Sequence, residues 1–176
     1  MRKRAPAPTR VIGIDPGLNI TGYGIVELSA SAANLVEAGV IRLPASNGNN
    51  LALRLESLYE NVWEVIREFS PEAMCLEEVY SHVDYPRTAI LMGHARGVIC
   101  LAARKARIPV FHLPAKRVKQ SITGNGNASK LQVQRAVQQR FSLARLPAPP
   151  DVADALAVAL CYLKTVKAAS NGFGNI

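Results

Sequence analysis

The chain has 176 residues, 49% of them apolar, and a formal net charge of +8 from 21 Lys+Arg against 13 Asp+Glu. That length supports one domain with a real core and excludes a two-domain enzyme, and the charge points to an acidic partner. Cys75, Cys100 and Cys161 are far apart and form no C-x-x-C pair, which argues against a disulfide framework or a cysteine zinc site and for a reducing compartment.

Residues 1–9 read as a basic, unstructured arm, with Arg2, Lys3 and Arg4 and then Arg10 just beyond it. Ala5-Pro6-Ala7-Pro8 is no apolar signal-peptide segment. Val11-Ile12-Gly13-Ile14 reads as a buried strand that stops at the turn signal Asp15-Pro16-Gly17. Thr21 to Leu28 and Leu35 to Leu43 read as two further strands, and the short connections make the three an antiparallel meander. Leu51 to Phe69 carries apolar residues at 51, 55, 58, 59, 62, 63, 66 and 69, the spacing of a helix with one buried face, and Ser70-Pro71 ends it. A strand over Ala73 to Tyr80, a helix over Arg87 to Ala106 and a strand over Val110 to Leu113 follow. Pro114 is expected to open a helix at its first position, and Gly124-Asn125-Gly126 to interrupt it flexibly. Ser129 has the look of the N-cap of a helix running to about Phe141. Leu146-Pro147-Ala148-Pro149-Pro150 reads as a rigid spacer before a last helix, Asp151 to Ala168, apolar nearly all round and so packed on the sheet. Residues 169–176 read as a tail. The whole is an α/β domain over residues 10–168, one mixed sheet of five strands flanked by helices. The longest apolar run, Ala155 to Leu163, is too short to cross a membrane.

Charge is not spread evenly. Between Asp84 and Asp151 there is no acid at all, and this 66-residue stretch (85–150) holds 12 bases, among them Arg96, Arg117, Lys119 and Lys130. Outside the arm and this stretch the chain is net acidic. Such polarity fits a face that binds a polyanion.

Several acids stand where they could converge. Asp15 ends the first strand, and in open α/β sheets ligand sites gather beyond the carboxyl ends of strands, although D-P-G is equally an ordinary turn. Glu77 and Glu78 lie in one strand on opposite faces, so a single cluster can take only one of them, and spacing alone does not say which. Asp151 and Asp154 share one side of a helix start, where acids also serve as caps. If these groups met, each like-charge pair at ~5 Å and an effective dielectric of about 20 would cost roughly 3 kcal/mol. A cluster of that kind must protonate or bind cations. Hard oxygen donors without Cys or His suit Mg²⁺ or Mn²⁺, and two such ions are a known device for phosphodiester chemistry.

Gly13-Ile14-Asp15-Pro16-Gly17 with Thr21-Gly22-Tyr23-Gly24, then Leu76-Glu77-Glu78-Val79-Tyr80, resembles the RuvC family of bacterial Holliday-junction resolvases. So do Gly93-His94-Ala95-Arg96-Gly97, Val118-Lys119-Gln120, Gly124-x-Gly126-x-x-x-Lys130-x-Gln132-Val133 and Asp151-x-Ala153-Asp154-Ala155-Leu156-Ala157, all in the family's order over about residues 11 to 163. The resemblance implies an RNase H-like fold and a cytoplasmic homodimer that nicks opposed strands of four-way junction DNA, with RuvA and RuvB as branch-migration partners. A two-fold dimer suits a pseudo-two-fold substrate. It also implies that Asp15, Glu77, Asp151 and Asp154 are catalytic and hold two Mg²⁺ (or Mn²⁺) ions, which selects Glu77 over Glu78. Lys119 and Lys130 match basic residues near the scissile phosphate, and Tyr80 matches an aromatic at the junction crossover, where a ring stacks on an unpaired base. Arg96 and Arg117, in the same basic stretch, are expected to contact DNA. Tyr85 and Pro86 stand where resembling proteins carry an Asn, and His82, His94 and His112 match no catalytic position.

Three other readings stay open on the residues: a related nuclease acting on RNA–DNA hybrid or linear DNA, a phosphate-loop kinase of the sugar-kinase and actin type, and a DNA-binding module without catalysis. The kinase needs a second nucleotide-binding half for which 176 residues leave no room. A pure binder gains nothing from four acids that repel phosphate.

Overall fold

The computed structural model describes residues 9–29, 32–43, 50–78 and 86–172. The elements are β1 (Thr9–Asp15), β2 (Ile20–Leu28), β3 (Ala33–Arg42), α1 (Leu51–Phe69), β4 (Ala73–Glu77), α2 (Pro86–Lys105), β5 (Val110–Leu113), α3 (Ala115–Thr123), α4 (Lys130–Arg140) and α5 (Pro150–Gly172). They form one five-stranded sheet in the order β3-β2-β1-β4-β5. The β1–β2 and β2–β3 pairs are antiparallel, whereas β1–β4 and β4–β5 are parallel, so the expected mixed sheet with a meander is what the chain builds.

Alternation along the strands sorts side chains into two cores. Ile12, Ile14, Met74 and Leu76 face α1 and α2, meeting Leu58, Val62, Ile66, Ala95 and Ile99. Val11, Ala73, Cys75 and Leu113 face the other way, onto Leu156 and Leu160 of α5, Val118 of α3 and Val133 of α4. The central strands are covered on both faces, which is why β1 and β4 read as nearly continuous apolar runs.

Local signals explain the helix ends. Asn50 caps α1, its side chain accepting from the Leu53 amide at 3.2 Å, and Ser70 closes it in the left-handed region at φ 47°. Ser129 caps α4 in a reciprocal arrangement: its hydroxyl accepts from the Gln132 amide, and the Gln132 side chain accepts from the Ser129 amide at 2.8 Å.

Some expectations need correcting. Pro114 is the N-cap of α3 and not its first helical residue. Residues 124–126 are not a flexible interruption. Gly124 closes α3 at φ 78°, and the Gln120 side chain donates to the Gly124 carbonyl at 2.7 Å while accepting from the Gly126 amide at 2.9 Å. The last helix begins one residue early, because Pro150 needs no amide partner at the first helical position, and it runs on to Gly172. Arg10, counted among the bases near the arm, is turned inward: it pairs with Glu27 at 2.9 Å and donates to the Phe69 carbonyl at 2.8 Å. The strand expected to reach Tyr80 is β4, and its last three expected residues are Glu78, which lies beyond its end, and Val79 and Tyr80, which fall outside the described residues. Among the described residues no helix is long and apolar enough to cross a membrane.

Candidate active site

The site begins where β1 ends. Gly13 faces α5, and a methyl group built on it would run into the Ala155 carbonyl oxygen and the Ala159 backbone. Two residues on, alternation turns Asp15 to that same face. Gly22 pairs with Asp15 across the β1–β2 ladder, and a methyl group on it would meet the Asp151 carbonyl. These glycines let the backbone of α5 rest directly on β1 and β2, which sets the start of the helix, with Asp151 in its first turn and Asp154 just beyond, beside the end of β1. The turn after Asp15 is tied down from below. The buried Thr21 hydroxyl donates to the Gly17 carbonyl at 2.6 Å, and Arg54 of α1 donates to the Leu18 carbonyl at 2.8 Å.

The parallel β1–β4 register pairs Gly13 with Cys75 and Ile14 with Leu76, so the next step along it aligns Asp15 with Glu77. Ala73 and Cys75 belong to the α5 core, which places Glu77 on the α5 face and Glu78 on the other. Geometry therefore separates the two glutamates that spacing left equivalent. Lys130, the first residue of α4, reaches Asp154 at 4.0 Å. Lys119 in α3 acts electrostatically on both Glu77 and Asp154.

These groups disturb one another strongly. Burial pushes the Asp15 carboxyl up to about 7, helped by the charges of Asp154, Asp151 and Glu77 and opposed by Lys130. Burial also raises Glu77; Asp154 adds to this, while Lys119 and Lys130 work against it. Asp154 is raised by burial first, then held down by Lys130, pushed up by Asp151 and lowered by Lys119. Four acids and two lysines from β1, β4, α3, α4 and α5 thus share one electrostatic neighbourhood at the carboxyl edge of the sheet.

A family model described as crossover junction endodeoxyribonuclease RuvC matches residues 11–162. A protein of that name from Rhodopirellula baltica is 48% identical over 151 residues, covering 86% of this chain and 84% of the relative. The chain belongs to the RuvC family. A second RuvC, from Pelotomaculum thermopropionicum, is 45% identical over 152 residues, covering 86% of this chain and 91% of the relative. Among solved structures, Thermus thermophilus RuvC in complex with a Holliday junction substrate matches with a TM-score of 0.82 at 31% identity, over 92% of this chain and 96% of that one. A yeast mitochondrial Holliday junction resolvase, 14% identical with a TM-score of 0.64, shares the fold. The mixed sheet with its flanking helices is the RNase H-like fold of RuvC proteins.

RuvC membership implies a divalent-metal requirement in general, and the donor set fits one. The groups are all hard carboxylate oxygens, and an Asp15 pushed up to about 7 by burial first, and then by three like charges, marks a cluster that a cation would relieve. Among the described residues no three His, Cys, Asp or Glu side chains are gathered around one point, so the fit is one of chemistry and charge.

The remaining expected RuvC contacts divide. Arg117 is exposed, and its guanidinium donates to the Thr165 hydroxyl of α5 at 3.2 Å, turned along α5. Arg96 is half-buried and donates to the Glu77 main-chain carbonyl while its other arm meets Nδ1 of His112. His94 is exposed on α2. Tyr80 and His82 lie outside the described residues.

Sequence reasoning missed the residues that hold the site in shape, namely Gly13, Gly22, Thr21, Arg54 and Gln120. A signal existed for the glycines, since Gly13, Gly22 and Gly24 interrupt strands that otherwise favour branched residues, and a strand glycine marks a close backbone approach.

Proposed function

We propose that this RuvC-family chain resolves four-way DNA junctions in recombination and repair by hydrolysing one phosphodiester in each of two opposed strands, leaving 5′-phosphate and 3′-hydroxyl ends. The observation that carries this reading is the shared neighbourhood of Asp15, Glu77, Asp151 and Asp154 with Lys119 and Lys130 at the edge of the sheet. A repelling set of carboxylates beside lysines is unfavourable for the protein alone and makes sense where cations and a phosphate complete it.

In this reading Asp15, Glu77, Asp151 and Asp154 hold two Mg²⁺ (or Mn²⁺) ions, which when bound supply an activated water and stabilise the leaving oxygen. The chain's own contribution is to orient and to balance charge. Asp151 and Asp154 are carried on one rigid helical turn, and Asp15 and Glu77 on neighbouring strand ends, so the four are set by backbone and not by loops. Lys130 beside Asp154, and Lys119 near Glu77, offset negative charge on the reacting phosphate. Tyr80 follows Glu77 by three residues in the sequence, and its role in this reading is to stack on a base unstacked at the crossover. Arg117 and other bases of the acid-free stretch, Arg96 apart, supply phosphate contacts that position the junction.

The working unit is a homodimer. Helix α2 supports this with an exposed stripe of Ile90, Gly93, Gly97 and Leu101, in which nothing lies near the glycines, and helical spacing puts these residues on one side of α2 for a second copy to cover. The Thermus relative's junction complex supports the substrate, and the family resemblance alone supports cooperation with RuvA and RuvB in the cytoplasm.

The test is one gel with Mg²⁺ or Mn²⁺ and three substrates: a four-way junction, linear duplex and RNA–DNA hybrid. Paired symmetric nicks in the junction alone are expected, with binding that weakens steeply as salt rises. Equal cleavage of duplex or hybrid would overturn the assignment.

A further inference from the structure

We propose that Arg96 is a positioning residue for Glu77 and not a DNA contact; the inference rests on the catalytic reading of Glu77 above. Helix α2 packs on the face of the sheet opposite to the four carboxylates, with Ala95 and Ile99 buried there. From that side Arg96 sends one guanidinium nitrogen to the Glu77 main-chain carbonyl and another to Nδ1 of His112 in β5. A guanidinium only donates, so His112 accepts through Nδ1 and carries its proton on Nε2. Burial, and then the Arg96 charge, hold this imidazole below the ordinary histidine range, against a smaller opposing pull from Glu78; the ring therefore stays an acceptor.

What this does for the site follows from the end of β4. The β1–β4 ladder stops at Ile14 and Leu76, one residue short of Glu77. The peptide unit that joins Glu77 to Glu78 is nonetheless held at both ends, its N–H bonded to the Leu113 carbonyl at 2.9 Å and its C=O bonded to Arg96. Fixing that plane fixes the backbone torsion that aims the Glu77 side chain at Asp15 and Asp154. His112 fixes the guanidinium in turn, from the neighbouring strand. Sequence reading places Arg96 with the DNA-facing bases because it lies in the acid-free stretch. Half-buried and committed to the Glu77 carbonyl and the His112 ring, it has the place of an outer-layer group that orients a metal-binding carboxylate.

The two roles separate experimentally in the full-length protein. Arg96→Met should leave junction affinity in metal-free buffer, and its salt slope, unchanged. It should also weaken Mn²⁺ binding measured by titration calorimetry, and lower kcat by about 10- to 100-fold with little change in KM. Arg96→Lys, which retains one donor for the Glu77 carbonyl, should fall between Met and wild type. Weaker junction binding with a salt slope reduced by about one, and unaltered Mn²⁺ affinity, would overturn the proposal in favour of a phosphate contact. Wild-type protein in the same assay keeps the outcomes apart: if it cleaves no junction, the functional reading fails, whereas the Mn²⁺ and junction affinities still judge Arg96. Should Arg96→Met not fold, His112→Leu loosens the guanidinium from an exposed position and should move Mn²⁺ affinity in the same direction by a smaller factor. Wild-type affinity in that variant would refute the proposal.

Discussion

Replacing Asp15 by asparagine removes a charge from the most perturbed carboxylate among the described residues while keeping the side chain's size. The carboxyl of Asp15 sits at about 7 in the folded chain against 3.8 as an unperturbed group. The folded state therefore holds a proton that the unfolded state releases between those values, and folding stability falls as pH rises through this window. At about 1.4 kcal/mol per pH unit, the loss between pH 5 and pH 8 comes to about 3 kcal/mol, and its full extent at alkaline pH to about 4 kcal/mol. The amide of the variant carries no such proton. Urea unfolding of both proteins, with chelator present, should show the wild type losing about 3 kcal/mol more than Asp15→Asn between pH 5 and pH 8, roughly 6–12 °C in Tm. Asp15→Asn should thus be the more stable protein at pH 8 and inactive in cleavage, with junction binding intact or tighter. Added Mg²⁺ should stabilise the wild type increasingly as pH rises, because the cation displaces the Asp15 proton. Parallel pH slopes for the two proteins would refute the argument, since they would mean that Asp15 is solvated and not crowded by Asp154, Asp151 and Glu77.

Two further outcomes are expected. Gly22→Ala puts a methyl group into the Asp151 carbonyl, so α5 must lift from β2. Thermal melts should show a loss of about 1–3 kcal/mol or more, and cleavage should drop with junction affinity retained; a variant with full activity would show that α5 is not seated through this contact. Lys130→Met removes a charge that holds down Asp15, Glu77 and Asp154, so the acid limb of the pH–rate profile should move to higher pH as the rate falls on the order of 100-fold. An unshifted limb with a lower rate would place Lys130 at the phosphate alone.

Much of the scaffold is legible in the sequence because its signals are local. The apolar period over Leu51 to Phe69 marks α1 to the residue, and Ser129 with Gln132 three positions on is a capping pair readable by eye. The strand at Val110 to Leu113 and the antiparallel meander follow from apolar runs and short turns. The stretch from 124 to 126 misleads because two glycines look permissive, whereas the order comes from the side chain of Gln120, several residues back.

The site divides along the same line. The order of residues is enough to show which acids exist, that Asp15 ends a strand, that Asp151 and Asp154 share a helical turn, and that bases fill the stretch between residues 85 and 150. The order of motifs pointed to the family. It did not determine that these acids share one electrostatic neighbourhood, which of two adjacent glutamates turns toward Asp15, or that Arg96 and Arg10 bond to main-chain carbonyls of their own chain. A strand presents both of its faces equally until something packs on one of them. Here the glycines of β1 and β2 admit α5 on one face, and α1 and α2 cover the other. The tertiary structure decides the chemistry because repulsion and burial among carboxylates depend on distances across the sheet, and those distances are set by register and packing between residues far apart in the chain.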